Sequence, residues 1–355
     1  MARIEIRPYA VPLSVPYRWS KGVQHERCGV VVGIELDGGI GWGEAALPPH
    51  VIYPGAAFAD QCRALLFGLD PERDDFLDQL ALREVPARVR CGISSALIAA
   101  RAAREKKSLS AYLAGPSRPV ASRVPVNDLI GDEKPETCVE RAAAAVARGQ
   151  DTVKIKCDSN RALDVARVGA IREAFPDIAI RIDPNESWPL SWALDQLRAM
   201  AAFRIEYVEE PLPRGTTLAH YAELCRESPI PVALDDSARS LTHVQSIIAQ
   251  RAAHVLILKP PRLGGPDLTV EVVDTAAAAG LRSVVTASLE TAIGLTVALH
   301  CGALLPDPIP PCGIGTARFL ARDLAPPPPI QDGFMVVPSR PGLGIEPFEA
   351  LAPAA

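Results

Sequence analysis

Between Val124 and Cys312 the chain repeats one unit, a short apolar run followed by an amphipathic stretch. The runs occupy 124–129, 152–156, 178–183, 205–209, 232–235, 255–259 and 283–286, with a shorter eighth near 309–312. Apolar residues at three-to-four spacing predict helices between them, over 136–148, 161–174, 191–202, 217–227, 240–251, 267–279 and 290–304. Near-continuous Val, Ile and Leu is what parallel strands buried on both faces require, and helical crossovers between such strands make βαβ units. Eight units favour closure into a barrel over an open sheet, although periodicity alone is compatible with either.

Five consecutive runs end on a charge: Lys156, Asp183, Glu209, Asp235 and Lys259, separated by 27, 26, 26 and 24 residues. The spacing is that of the repeat, so each unit delivers one charge to the same end of its strand. In a barrel these ends ring the face that carries active sites. Three carboxylates on adjacent strands form an oxygen donor set for a hard divalent cation, Mg²⁺ with Mn²⁺ as the alternative. No histidine joins the pattern, which argues against zinc. An Asp or Glu at a strand end can also cap the next helix, a reading that suits Asp235 alone better than it suits all three acids. Lys154 and Lys156 are two apart and share one face of a strand. Such a pair suits a solvated edge strand. Inside a barrel it needs anions opposite, which the three acids supply. A lysine beside a bound cation could remove a proton α to a carboxylate. That requires burial and neighbouring cations, Lys154 foremost, to lower its pKa from about 10.4 towards about 7–8.

The first 122 residues follow another pattern. Segments 2–13 and 28–37 read as strands, Gly38-Gly39 as a tight turn between 30–36 and 40–44, and 55–68, 73–82 and 90–113 as helices. The polar segments 17–27 and 47–50 read as loops. Strands followed by helices predict an α+β domain over 1–122, ahead of the barrel at 123–324. A tail over 325–355 opens with Ala325 and four prolines and is expected to fold back onto the N-terminal domain. A formal net charge of −5 argues against nucleic acid as the partner, but not against a small anion. The N-terminus lacks a secretory core, and the longest apolar stretch, 292–305, is broken by Thr296 and His300 and too short for a bilayer. Eight scattered cysteines without a CxxC pair read as reduced core thiols of a cytoplasmic protein.

Five ordered motifs resemble the enolase superfamily, in particular its muconate-lactonizing subgroup. They are Thr152-Val-Lys-Ile-Lys156, Arg181-Ile-Asp-Pro-Asn185, Val208-Glu-Glu-Pro211, Ala233-Leu-Asp-Asp-Ser237 and Ile257-Leu-Lys-Pro260. Gly41-Trp42-Gly43-Glu44 is similar to the capping-domain signature of that family, so the resemblance covers nearly the whole chain. It implies an α/β fold, a modified TIM barrel of (β/α)7β form with an α+β capping domain built from the N-terminal segment and the tail. It implies metal ligands at Asp183, Glu209 and Asp235 and acid/base lysines at Lys156 and Lys259, with Glu210 behind the ligands. Asp236 stands where the family usually has Glu. The stretch Thr286-Ala-Ser-Leu-Glu-Thr-Ala-Ile-Gly-Leu295 resembles that of the o-succinylbenzoate synthases, with Ala287 in place of a serine, and so does Cys312-Gly-Ile-Gly-Thr316. Dipeptide epimerases usually carry Asp-x-Asp at the eighth strand, and here Gly313 to Thr316 offer no acid.

The resemblance therefore implies a syn dehydration that yields 2-succinylbenzoate in menaquinone biosynthesis. N-succinylamino acid racemase, dipeptide epimerase or cycloisomerase activity is the alternative, since Lys156 and Lys259 are both present. A catalytically silent barrel would be signalled by a missing ligand, and none is missing. The expected partner is a small-molecule carboxylate, with no nucleic acid and no membrane, and a homo-oligomer stays open. Lys154, Arg181 and Asn185 are expected to support the site. Arg181 shares a face with Asp183 but could equally be a core ion pair, and Asn185 could cap a helix. Lys21 and Arg27, in a polar loop that would cover the site, are candidates for a second substrate carboxylate, against a plainly solvated loop. Ser288 and Gly315 could offer donors to a substrate carboxylate, and Trp188 and Trp192, at helical spacing, are expected to pack.

Overall fold

In this computed structural model, residues 2–19, 22–48, 55–131, 134–157 and 160–348 are described. An antiparallel meander comes first: β1 (Arg3–Trp19), β2 (Gly22–Leu36) and β3 (Gly39–Ala46), with Gly38 at φ +82° making the turn into β3. The expected loop at 17–27 is instead strand on either side of residues 20 and 21, which lie outside the described residues. Tyr17 pairs with Gln24 and Trp19 with Gly22. A two-stranded ribbon beyond the body of a sheet needs no apolar alternation, so its sequence carries no strand pattern.

The helix Ala87–Arg104 lies directly on β3, and the alternate glycines of that strand allow the approach. A Cβ at Gly43 would stand 2.0 Å from the Gly92 carbonyl oxygen, and one at Gly41 2.1 Å from that of Ala96. The single helix expected over 90–113 is two, Ala87–Arg104 and Leu109–Ala114. Lys106 takes a left-handed φ of +57° between them, and Ser108 caps the second by accepting from Ala111 N.

Seven parallel strands follow: β5 (Asp128–Ile130), β6 (Thr152–Lys156), β7 (Ala179–Asp183), β8 (Ile205–Glu209), β9 (Val232–Leu234), β10 (Val255–Leu258) and β11 (Arg282–Val285). They lie side by side in chain order, and helices such as Arg161–Ala174 and Pro266–Ala278 cross between them. Apolar side chains from strands and helices form a large core, and Tyr207, Ala233, Val255, Ile257 and Val284 form a separate small one. The first apolar run is divided: β4 (Arg123–Pro125) leaves the barrel to pair with the tail, and β5 alone pairs with β6. The eighth run makes no strand. Isolated parallel bridges, Cys312 to Val126 and Gly313 to Thr286, close the gap between the sheet's two edges. Pro308, Pro310 and Pro311 lack the N–H groups that a regular ladder would need.

The tail makes two attachments. Strands β12 (Ile330–Gln331) and β13 (Phe334–Val336) form a hairpin whose second strand pairs with β4. Gly342 then exchanges backbone hydrogen bonds with Lys107 and Leu109, and Leu343 packs with Tyr9, Trp42 and Val297 at the seam between meander and barrel. All eight cysteines are free, and six are buried. Among the described residues no helix is long and apolar enough to cross a membrane.

His300 pins this seam. Its Nε2 donates to the Leu343 carbonyl at 3.1 Å, and its Nδ1 accepts from Ser110. Burial pulls its pKa down to about 4, so the folded state holds it neutral. The unfolded chain takes up a proton near pH 6.5, before the folded one does, so this contribution is whole above pH 6.5 and is lost as pH falls towards 4. Between pH 7 and pH 5 wild type should lose about 2 kcal/mol more stability in denaturant titrations than His300→Gln. Equal losses in both would show that His300 is not the group responsible.

Candidate active site

Strand β6 alternates: Val153 and Ile155 are buried in the barrel core, while Lys154 and Lys156 face the central cavity. Asp183, Glu209, Asp235 and Lys259 arrive at the ends of the next four strands, the three acids no more than 3% exposed. Register places Lys156 beside Asp183. Lys156 Nζ donates to Asp183 Oδ2 at 2.6 Å and to Asn185 Oδ1 at 2.7 Å. Lys154 Nζ bridges both oxygens of Glu209 at 2.9 Å and lies 3.0 Å from Asp183. Lys259 Nζ donates to Asp235 Oδ2 and Arg262 Nη1 to Asp235 Oδ1, each at 2.6 Å. Of the five charges expected on one ring, Lys156 meets Asp183 and Lys259 meets Asp235, while Lys154 links Asp183 to Glu209.

Burial works against the charge on Lys154, Asp183, Glu209 and Asp235. For Asp183 the ammonium groups of Lys154 and Lys156 outweigh it and hold the carboxyl well below the usual range. For Asp235 the guanidinium of Arg262, then Lys259, does the same. For Lys154 burial is outweighed by Asp183 and Glu209, so it stays charged, with a pKa well above the ordinary lysine value. Glu209 is pushed up, by burial and then by Asp183, against the pull of Lys154. Of the three acids only Glu209 is shifted upwards. Among the described residues no three carboxylate, imidazole or thiol groups form a preformed ligand cluster, because ammonium and guanidinium groups stand between these oxygens.

The neighbours divide sharply. Glu210, at φ +40°, turns its carboxylate away from the cavity to accept from Asp235 N at 2.7 Å, Ser237 Oγ at 2.5 Å and Tyr221 Oη at 3.2 Å. Asn185, at φ +50°, is held by its own N–H to Asp183 Oδ1 and reaches Lys156, so it belongs to the site. Arg181 stands one layer behind the cavity wall. It is fully buried over the Tyr207 ring, bonds Glu206 Oε2 at 2.7 Å, and ties Asn127, just before β5, to the Pro311 carbonyl in the closing segment. It is a core ion pair, and both Tyr207 and Asn127 line the cavity. Trp188 and Trp192 pack with ring centroids 5.7 Å apart.

A cavity of about 750 Å³ runs from the ring to the N-terminal domain, lined by Ser288 and Gly315 as well as Leu47, Phe58 and Arg88. Arg27 is not on its wall. The guanidinium is buried, with Nε donating to the Leu289 carbonyl at 2.9 Å, and so it braces the loop between β11 and the helix Ala292–Gly302. Lys21 lies outside the described residues. The same loop is held by Glu44, which accepts from Thr291 N and Oγ1 (2.6 Å), from Gly294 N at 2.9 Å and from Tyr9. A carboxylate at a helix N-terminus is favoured there. Gly294 makes room for it, since a Cβ would lie 2.9 Å from Glu44 Oε2.

Three further groups shape the site: Arg262, Glu44 and Arg88. Arg262 follows Lys259 by three residues on the short turn Pro260–Leu263, a spacing that could have pointed to the cavity. Glu44 was read as part of a signature without a task. Arg88 carries no local signal at all.

A family profile described as enolase C-terminal domain-like matches residues 137–351. The o-succinylbenzoate synthase of Thermobifida fusca (strain YX) is 34% identical over 210 residues, 58% of this chain and 63% of that protein. The chain thus spans less than two thirds of that relative's length. The o-succinylbenzoate synthase of Mycobacterium bovis is 33% identical over 235 residues, 64% of this chain and 68% of the relative. Among solved structures, N-succinyl Arg/Lys racemase from Bacillus cereus superposes with a TM-score of 0.88 at 23% identity, covering 98% of this chain and 95% of that one, a likeness of fold.

The clamp on the loop gives a direct test. Glu44→Ala leaves several buried donors without an acceptor, at about 1–3 kcal/mol each. We expect at least about 3 kcal/mol of destabilisation by chemical denaturation. A loss below about 1 kcal/mol would mean that Glu44 does not anchor the loop.

Proposed function

The chain belongs to the enolase superfamily, and from that premise we propose that it is an o-succinylbenzoate synthase. The substrate would be 2-succinyl-6-hydroxy-2,4-cyclohexadiene-1-carboxylate, which loses water to give 2-succinylbenzoate, a step of menaquinone biosynthesis. The observation that carries the reading is the lysine on each flank of three buried carboxylates, Lys156 at β6 and Lys259 just after β10. The relatives named o-succinylbenzoate synthase support the same choice.

In this account Lys156, as the free amine, takes the proton α to the ring carboxylate. The C–H electron pair passes into an enediolate. As it returns, the bond to the neighbouring hydroxyl breaks, and that hydroxyl leaves as water with the proton Lys156 gives back. Proton and hydroxyl leave from one face, so one lysine serves both steps. Asn185 and Asp183 hold Lys156 Nζ at the ring. Lys259 faces the developing negative charge as an ammonium group. Lys154 stays charged beside Asp183, the carboxylate that Lys156 also meets.

The donor set suits a divalent cation: three buried carboxylates on adjacent strands, with no soft ligand among them. Asp183, Glu209 and Asp235 would hold Mg²⁺ or Mn²⁺, which when bound supplies positive charge to the substrate carboxylate. A second reading, an N-succinylamino acid racemase or a related epimerase or cycloisomerase, rests on the same two lysines acting from opposite faces.

The test is incubation with Mg²⁺ and the cyclohexadiene, following loss of its absorbance. Turnover should appear, fall about 10²–10⁴-fold in Lys156→Ala, and vanish with a chelator. No turnover by a folded protein supplied with Mg²⁺ would overturn the synthase reading, and N-succinylamino acids would then be tried.

A further inference from the structure

The cavity's end at the N-terminal domain differs from the ring. Apolar residues line it there, with Leu47, Phe58, Val89 and Leu289 among them, and Arg88 follows Ala87 and precedes Val89 on the same wall. Arg88 sits in the first turn of the helix Ala87–Arg104 with its side chain 21% exposed. Its nearest carboxylate is Glu290 Oε1, 3.9 Å from Nη1, beyond hydrogen-bond distance. Arg88 Nη1 and Glu290 Oε1 are both buried without a hydrogen-bond partner.

The groups around it leave positive charge over. Arg27 is fully buried behind the loop, and its Nη1 and Nη2 also lack partners. Arg262 is committed to Asp235 and Asp236, and Glu44 to Thr291, Gly294 and Tyr9. One oxygen of Glu290 bonds the Ser288 N–H. Among the described residues a single carboxylate oxygen is thus left for two guanidinium groups. Burial disfavours the Arg88 cation, Glu290 favours it, and Arg27 and Arg262 disfavour it, for a net downward direction. Buried charge in such a setting is costly unless an anion meets it.

We propose that Arg88 binds a second carboxylate on the substrate, making it the residue that selects dicarboxylates. One carboxylate lies at the lysine ring, the other at Arg88, and an aliphatic arm crosses the apolar wall between them. Arg27 acts indirectly, by holding the Leu289 carbonyl and so the wall beside the arm. The proposal rests on the reading of the ring as the site of proton abstraction from a carboxylate.

The test compares two ligands by calorimetry in the presence of Mg²⁺: 2-succinylbenzoate and 2-butanoylbenzoate, which keeps the aromatic carboxylate and ketone but ends its arm in a methyl group. Wild type should bind the dicarboxylate at least about 10-fold more tightly, as expected for a charge-assisted pair. Arg88→Met should abolish that preference while leaving the affinity for 2-butanoylbenzoate within about 3-fold. Arg88→Lys, which keeps the charge but not the fork, should retain part of it and serves if the methionine variant does not fold. With the cyclohexadiene substrate, Arg88→Met should raise KM about 10-fold or more and change kcat less. A preference that survives Arg88→Met, or is absent from wild type while both ligands bind, overturns the role of Arg88 and leaves the synthase reading standing. Binding of neither ligand to wild type overturns both.

Discussion

Everything at this site depends on opposite charges being interleaved on adjacent parallel strands. Lys154 lies between Asp183 and Glu209, and Asp235 lies between Lys259 and Arg262. Alone, any of these groups would be too costly to bury. Together they neutralise one another along the ring, with Glu209 left the least relieved. A parallel sheet with a constant repeat length imposes this arrangement, since each strand places one side chain at the same height. The residue two positions earlier on β6 falls in the same interior, which is why Lys154 can reach both Asp183 and Glu209.

The second constraint is the junction between the meander and the barrel. Leu289 holds a left-handed φ of +64°, a sterically disfavoured state for a side chain of that size. Arg27 grips its carbonyl and Glu44 caps the helix that follows. Both come from the N-terminal strands, so the loop that shapes one cavity wall is set by residues 262 and 247 positions away. Alternate glycines on β3 bring the helix Ala87–Arg104 against the strand, and that helix carries Arg88 to the cavity. Cavity shape and docking of the N-terminal part are therefore one problem in packing.

The barrel was legible because its signal is local and repeated. Runs of Val and Ile at a fixed interval can bury both faces in few other ways, and charges that end five runs must share a rim. The ribbon at 17–27 was misread because a strand pair outside the sheet body has no apolar face to advertise it. The eighth strand was over-read, as Ile309 and Cys312 look like a run while the intervening prolines forbid a ladder. Arg181 shows what periodicity leaves open. Its position two before Asp183 gives the face but not the depth, and at its depth the partners are Glu206, Asn127 and Pro311. Arg27 and Arg88 were beyond local reading, because their surroundings come from the loop at 286–291, distant in sequence.

In the function proposed for this chain, the three rim carboxylates act together as one divalent-cation site beside the lysines. The most direct measurement is a Mn²⁺ titration followed by loss of the free-ion electron paramagnetic resonance signal. The account predicts one ion per chain, displaced by Mg²⁺ and weakened at least about 10-fold by Glu209→Gln and by Asp235→Asn. Binding that neither substitution alters, or no binding by the folded protein, would contradict it.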